Sequence, residues 1–416
     1  MITNDDSQFR GWETATLLAR FSVPYEYSVH FTSGIFERGN PVLRDAVLRG
    51  GQSEPVLCLV FLDDGVAGAW PDLKESVSAY GRAHQDVIRM AGNVVLVPGG
   101  ERAKQDRAVV DSVVSAVNEH HLCRHSFVIA IGGGAVLDAV GFGAAISHRG
   151  IRLIRIPTTT LSQCDAGVGV KNGIDAFGKK NFVGSFAPPW AVINDTSLLC
   201  SLTDRDWRSG IAEAVKVSLL KDATFFGEIE IAAPRLRTRD ESALVPILRR
   251  SAELHLQHIA QGGDAFERRS ARPLDFGHWT AHKLEEASGF RLPHGEAVAI
   301  GVALDTILSV NLGHLSRLEA HRILQCLVDL GLPIYHMLLE DISRLAQGIE
   351  EFRQHLGGTL VLTQLKGIGE PVEVHTLGVE SIRLAVSDLA SYIPGRNSSS
   401  RIDDPSDAPS LQQHSV

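Results

Sequence analysis

Short apolar runs that break off in turns of glycine, acid or hydroxyl residues constrain this chain more than any other feature. VLCLVF at 56–61 runs into Asp63-Asp64-Gly65. FVIAI at 127–131 runs into three glycines, and the run at 151–156 into three threonines. Apolar runs bounded in this way read as buried strands. Further short strands are predicted at 25–31, 94–97 and 191–193. Helical periodicity lies between them, most clearly at 102–120 and 135–147. Strands alternating with helices imply a mostly parallel sheet covered on both faces.

The pattern changes near Leu202. Helical periodicity then dominates, at 204–221, 242–261, 278–288, 296–312, 317–330 and 341–355, with one late strand pair at 359–365 and 372–377. The predicted fold class is α/β: a Rossmann-like, mostly parallel sheet domain followed by a mainly helical domain. The predicted division is an N-terminal extension at 1–20, a nucleotide-binding domain at 21–201, a helical domain at 202–393 and a disordered tail at 394–416. A chain of 416 residues is too long for one core, so two domains sharing a site is the default expectation.

A net charge of −9 gives no broad attraction to nucleic acid. The five cysteines are widely spaced and contain no CxxC pair, which argues against a disulfide framework or a thiolate zinc knuckle. No signal-peptide pattern or membrane-spanning run is present, so a cytoplasmic protein is expected.

GGGAVLD at 132–138 follows a strand and opens a helix. Glycines there let a pyrophosphate approach the backbone N–H groups of the helix start. The spacing is not GxGxxG, and a tight turn would need the same glycines. PTTTLSQCD at 157–165 places three hydroxyls at a strand end, where α/β proteins bind ligands. A threonine-capped turn facing solvent would look the same.

Glu213 lies in a helical stretch with Lys216 three residues on, sharing its face. His278 and His282 stand one helical turn apart, and His294 enters another apolar helix. One carboxylate with two or three imidazoles suits Zn²⁺ or a similar ion. Of the two histidines one turn apart, both could ligate, or one could face substrate. Lys171, Lys180, Lys216 and Arg149 are candidates for a local basic pocket. Each alone is more often a surface cation.

Taken together, GGGAVLD, IPTTTLSQCDAGVGVK, GKKNFVGSF, GIAEAVK, DFGHxxxHKLE and PHGEAVAIG resemble the dehydroquinate synthase superfamily, over about residues 55–380. The resemblance implies Glu213, His278 and His294 as metal ligands, usually of Zn²⁺, with Co²⁺ an alternative. It implies NAD⁺ contacts at Asp63, Glu101, Lys104, Gly133, Gly134, Asp138, Thr158, Thr159, Lys180 and Asn181. It places Asp165, Lys171, Asn181, Lys216 and His282 around the hydroxyls and phosphate of the substrate. Arg149 matches an arginine that reaches the phosphate of a neighbouring subunit, which implies a homodimer.

The departures concern substrate choice. Dehydroquinate synthases grip a carboxylate with a lysine and an arginine. Here those positions carry His255 and Ala271, with Arg272 one residue out of register. The asparagine before FGH is Asp275, and His355 stands in for a late lysine. An acid beside a carboxylate repels it, but beside a hydroxyl it accepts a hydrogen bond. These changes are similar to those of the sedoheptulose 7-phosphate cyclases. The implied reaction is transient oxidation at C5, β-elimination of phosphate, reduction and intramolecular aldol closure. Lys216, His282, Lys171 and Asp275 are its candidate catalytic residues. In the resemblance, 2-epi-5-epi-valiolone synthases carry proline where this chain has His282, and 2-epi-valiolone synthases keep histidine. Competing readings are a 3-dehydroquinate synthase gripping its substrate through Arg272 and His255, a metal-dependent polyol phosphate dehydrogenase, and a silent scaffold.

Overall fold

The computed structural model describes residues 17–51, 53–268 and 273–393. Seven parallel strands form the main sheet. They are β1 (Ser28–Thr32), β2 (Val56–Asp63), β3 (Ile88–Met90), β4 (Val95–Val97), β5 (Phe127–Gly132), β6 (Arg152–Pro157) and, after a hairpin, β9 (Ala191–Asp195). Their order is β1-β9-β6-β5-β2-β3, and β4 also pairs with β2 beyond β3. The apolar runs alternate between two cores, as the two-residue period of a strand requires. Phe127, Ile129 and Ile131 pack on one face of the sheet, with helices Val42–Leu48 and Leu73–Ala83. Val128 and Ala130 pack on the other, with helices Ala108–Glu119 and Gly134–Ile146.

The chain leaves β2 for β3 on one side, whereas β5 lies on the other. The carboxyl ends of β2 and β5 therefore flank a topological switch point, where open α/β sheets bind ligands. Asp63 ends β2 and Gly132 ends β5. A Cβ on Gly132 would lie 2.9 Å from Val136 and 3.1 Å from the Asp63 Cβ, so the crevice floor admits no side chain there. Between β6 and β9 the chain makes an antiparallel hairpin, β7 (Lys171–Ala176) and β8 (Lys179–Phe186), which the sequence reading did not contain. Its strands lack an apolar run, because β8 is largely exposed.

The second half is helical: Asp204–Ser209, Ile211–Lys221, Ala223–Arg237, Glu241–Gln261, His278–Ala287, His294–Asn311, Arg317–Asp329, Ile342–His355 and Val379–Ser391. The hairpin β10 (Leu362–Gly367) and β11 (Glu370–Val374) is set among them. Two predicted helices are broken. The segment at 204–221 divides at Gly210, where a Cβ would lie 2.1 Å from the Leu161 nitrogen. The segment at 102–120 begins as the short turn Gly100–Ala103 and becomes helical only at Ala108. Between them the Lys104 carbonyl accepts the Asp175 N–H at 2.8 Å, which ties this loop to the hairpin. Among the described residues, no helix is long and apolar enough to cross a membrane.

The two halves meet at the end of β6. The Thr160 hydroxyl donates to the Asp206 and Trp207 carbonyls at 3.0 Å, and Cys164 packs into the helical core. The three threonines are therefore not one patch: Thr160 is turned into the domain junction.

Candidate active site

Three helix starts bring the expected metal ligands together. Glu213 lies in the first turn of Ile211–Lys221, while His278 and His294 are the first residues of their helices. Glu213 Oε1 lies 3.2 Å from His294 Nε2 and 3.6 Å from His278 Nε2. All three ligand atoms fall within 4.8 Å of one another. Burial alone would raise the Glu213 carboxyl, but Lys216 and His294 hold it well below the usual carboxylate range. Burial, with Lys216 nearby, drives the His278 imidazole well below the usual histidine range, so it stays neutral and able to ligate.

A second group of potential ligand atoms, His282, Glu285 and His294, shares His294. Its carboxylate is already engaged on both oxygens. Glu285 Oε2 lies 3.2 Å from His294 Nδ1, and Oε1 lies 2.7 Å from the Lys180 ammonium. A carboxylate on Nδ1 fixes the tautomer and turns Nε2 toward a metal. We therefore read Glu285 as the support of His294. Sequence reasoning missed it, although Glu285 follows His278 and His282 at seven and three residues and so shares their helix face.

Lys216 is buried between acids. Its ammonium is 2.5 Å from Glu213 and 3.5 Å from Asp165, and Asp275 is close enough to add to their field. Burial lowers its pKa, but these carboxylates raise it further, so Lys216 remains a cation. The other oxygen of Asp165 is 3.2 Å from His255 Nε2. The His282 ring is edge-on to His278 at 5.5 Å and remains open to solvent on its free side. Burial lowers its pKa to about 4, so at neutral pH it can accept a proton.

The nucleotide end is assembled from the crevice and the β7–β8 hairpin. Lys104, nearly buried, contacts Asp138 at 2.7 Å and the Asn181 side chain. Lys180 bridges Glu285 to Glu101, the latter at 3.3 Å. It thus joins the crevice to the support of the metal site. Gly133 and Gly134 lie at the start of the Gly134–Ile146 helix. The buried Thr158 hydroxyl, just after β6, has no hydrogen-bond partner among the described residues, whereas Thr159 bonds to Ser162 at 2.8 Å. Asp63 accepts the Gly65 and Val66 N–H groups at 2.8 and 3.2 Å, so its carboxylate also shapes the turn.

Two expected substrate residues stand apart. Lys171 is largely exposed and pairs with Glu267 at 2.5 Å. Arg149 is exposed before β6, at the amino end of the sheet, whereas the site lies at the carboxyl end. Six residues at about 3.3 Å each put it roughly 20 Å from the cleft of its own chain. Ala271 and Arg272 lie outside the described residues, as do 1–16 and 394–416; the His355 side chain is likewise outside the description.

Two family models cover residues 94–209 and 210–351, described as the N-terminal and C-terminal parts of 3-dehydroquinate synthase. The chain belongs to the 3-dehydroquinate synthase family. These enzymes are the NAD- and divalent-metal-dependent sugar phosphate cyclases. A 2-epi-5-epi-valiolone synthase of Streptomyces glaucescens is 33% identical over 371 residues, covering 88% of this chain and 92% of that protein. A 3-dehydroquinate synthase of Roseobacter denitrificans is also 33% identical, over 82% of this chain and 92% of its own length. Among solved structures, the 2-epi-5-epi-valiolone synthase ValA of Streptomyces hygroscopicus, with NAD⁺ and Zn²⁺ bound, superposes with a TM-score of 0.80 at 28% identity. The match covers 90% of this chain and 99% of that one. A 2-deoxy-scyllo-inosose synthase with NAD⁺ and Co²⁺ shares the fold at 19% identity and a TM-score of 0.70.

Proposed function

We propose that this cyclase converts sedoheptulose 7-phosphate into a valiolone-type C7 cyclitol with release of phosphate, and that the product is 2-epi-valiolone. The observation that carries the reading is the fate of the carboxylate grip. His255, at the expected lysine position, is committed to Asp165, and acidic Asp275 adds to the negative field at Lys216. A site built this way favours a hydroxymethyl group over a carboxylate. The relatives named above make it a choice between substrates of one reaction class.

A divalent ion with the preferences of Zn²⁺ fits Glu213, His278 and His294, and when bound it would polarise a substrate oxygen. NAD⁺ fits the switch-point crevice, where the Thr158 hydroxyl, without a partner among the described residues, and the Gly133–Gly134 helix start would hold it, and when bound it would supply reversible hydride removal at C5. Lys216 stabilises negative charge developing beside the metal site. His282, neutral and open to the cleft, moves the proton in the closing steps and is the residue that favours the 2-epi-valiolone product. Lys171 leaves Glu267 to meet the phosphate with Asn181. Arg149 serves the cleft of a second copy, which makes the working unit a homodimer.

The test follows inorganic phosphate and NADH together, with catalytic NAD⁺ and a divalent metal. Multiple turnovers of phosphate without accumulating NADH are expected. NADH formed in proportion to substrate would instead make the protein a polyol phosphate dehydrogenase.

A further inference from the structure

One fully buried carboxylate has no part in the chemistry above. Asp305 lies inside the His294–Asn311 helix, eleven residues after His294, so the two side chains leave the same face three turns apart. Its oxygens grip the start of the neighbouring helix. Oδ2 accepts the Gly277 N–H at 2.8 Å, and Oδ1 accepts the indole N–H of Trp279 at 2.9 Å. These residues stand immediately before and after His278.

Backbone packing leaves little freedom at this contact. Gly277 has φ +78°, and a Cβ on it would lie 2.5 Å from the Val302 nitrogen. A Cβ on Gly301 would lie 2.0 Å from the Gly277 carbonyl oxygen. Gly277 offers no side chain to cap its own helix, and the carboxylate of the adjacent helix fixes that helix start through the Gly277 N–H itself. At the other end of the same helix pair, Glu285 holds His294. The helices are antiparallel and clipped at both ends, with one histidine ligand beside each clip.

We propose that Asp305 is a positioning residue of the metal centre: by holding both neighbours of His278, it aims that imidazole at Glu213 and His294. The inference rests on the ligand set Glu213, His278 and His294. Burial pushes the Asp305 carboxyl up to about 7 against the pull of its N–H donors, so the test is run at pH 8, where it is ionised.

Co²⁺ is the probe, added to metal-free full-length protein, with affinity read by chelator competition and ligand geometry by the visible Co²⁺ bands. The Gln364 amide also donates to this carboxylate, so Asp305→Asn sets its own amide N–H₂ against one of three N–H donors. It should weaken Co²⁺ about 10- to 100-fold and shift the bands, the usual effect of losing support behind a ligand. Adding Trp279→Phe removes the opposing indole donor, leaves the amide oxygen for Gly277, and should restore most of the affinity. An Asp305→Asn protein with wild-type affinity and bands, whatever its melting temperature, would overturn the proposal. If that variant does not fold, Trp279→Phe alone carries the test: shifted bands are expected, and unchanged bands and affinity refute it. Glu213→Ala is run alongside. Wild-type Co²⁺ binding there would overturn the ligand set itself and not the clip.

Discussion

Replacing Glu285 by glutamine keeps its shape and removes its charge, with two consequences of opposite sign. Burial would lower the His294 pKa, but Glu285 and Glu213 override it and raise it to about 10. At pH 8 the metal-free imidazole is then protonated by roughly 100 to 1, and seating a metal on it costs about 2.7 kcal/mol in proton displacement. The wild type should therefore release close to one proton per ion at pH 8, and its affinity should climb as pH rises toward 10. In Glu285→Gln the His294 pKa falls, so fewer protons are released and affinity depends less on pH. Loss of the Nδ1 support should still weaken binding by about 10- to 100-fold once the proton cost is absent. The deficit is therefore smallest near pH 7, where the wild type carries a proton cost of roughly 1000-fold, and widens toward pH 9.5. Calorimetric titration of Zn²⁺ in two buffers of different ionisation enthalpy gives proton count and affinity together. Equal proton release and equal affinity in both proteins across this range would refute the coupling of Glu285 to His294.

Other outcomes follow from the same geometry. Burial, reinforced by Lys221, lowers the His258 pKa to about 4, so the unfolded chain takes up a proton between pH 6.5 and 4 that the folded chain excludes. The metal-free protein should lose stability as pH falls through that window, and His258→Gln should flatten the slope of urea midpoints. Gly301→Ala forces two helix backbones apart and should cost about 1–3 kcal/mol in urea unfolding, with weaker Co²⁺ binding. Glu267→Gln frees Lys171; an exposed pair is worth about 0.2–1 kcal/mol, so KM for the sugar phosphate should fall by no more than about fivefold.

The features legible in the sequence were the local ones. Strand runs and the glycine turn at 132–134 follow from short-range patterns, whereas the ligand set came from the family resemblance, and the structure brings Glu213, His278 and His294 together. The close approach at Gly210 was not legible, because the backbone it meets is that of Leu161, some fifty residues away. The helix Ala223–Arg237 was hidden by Pro234, which reads as a breaker but sits within it. The β7–β8 hairpin carries Lys180 and Asn181 on strands too polar for a buried-strand pattern. Asp305 reads as one acid in an apolar helix until the fold lays it across the helix that His278 begins.

The central claim is the choice of substrate, and one comparison tests it directly. Phosphate release is followed with sedoheptulose 7-phosphate and, separately, with the carboxylated precursor of dehydroquinate, each with NAD⁺ and a divalent metal, and any cyclised product is identified by NMR. The account predicts turnover of the heptulose phosphate alone, with a spectrum matching 2-epi-valiolone. Turnover of the carboxylated sugar alone would show that His255 or Arg272 still grips a carboxylate, and would contradict it.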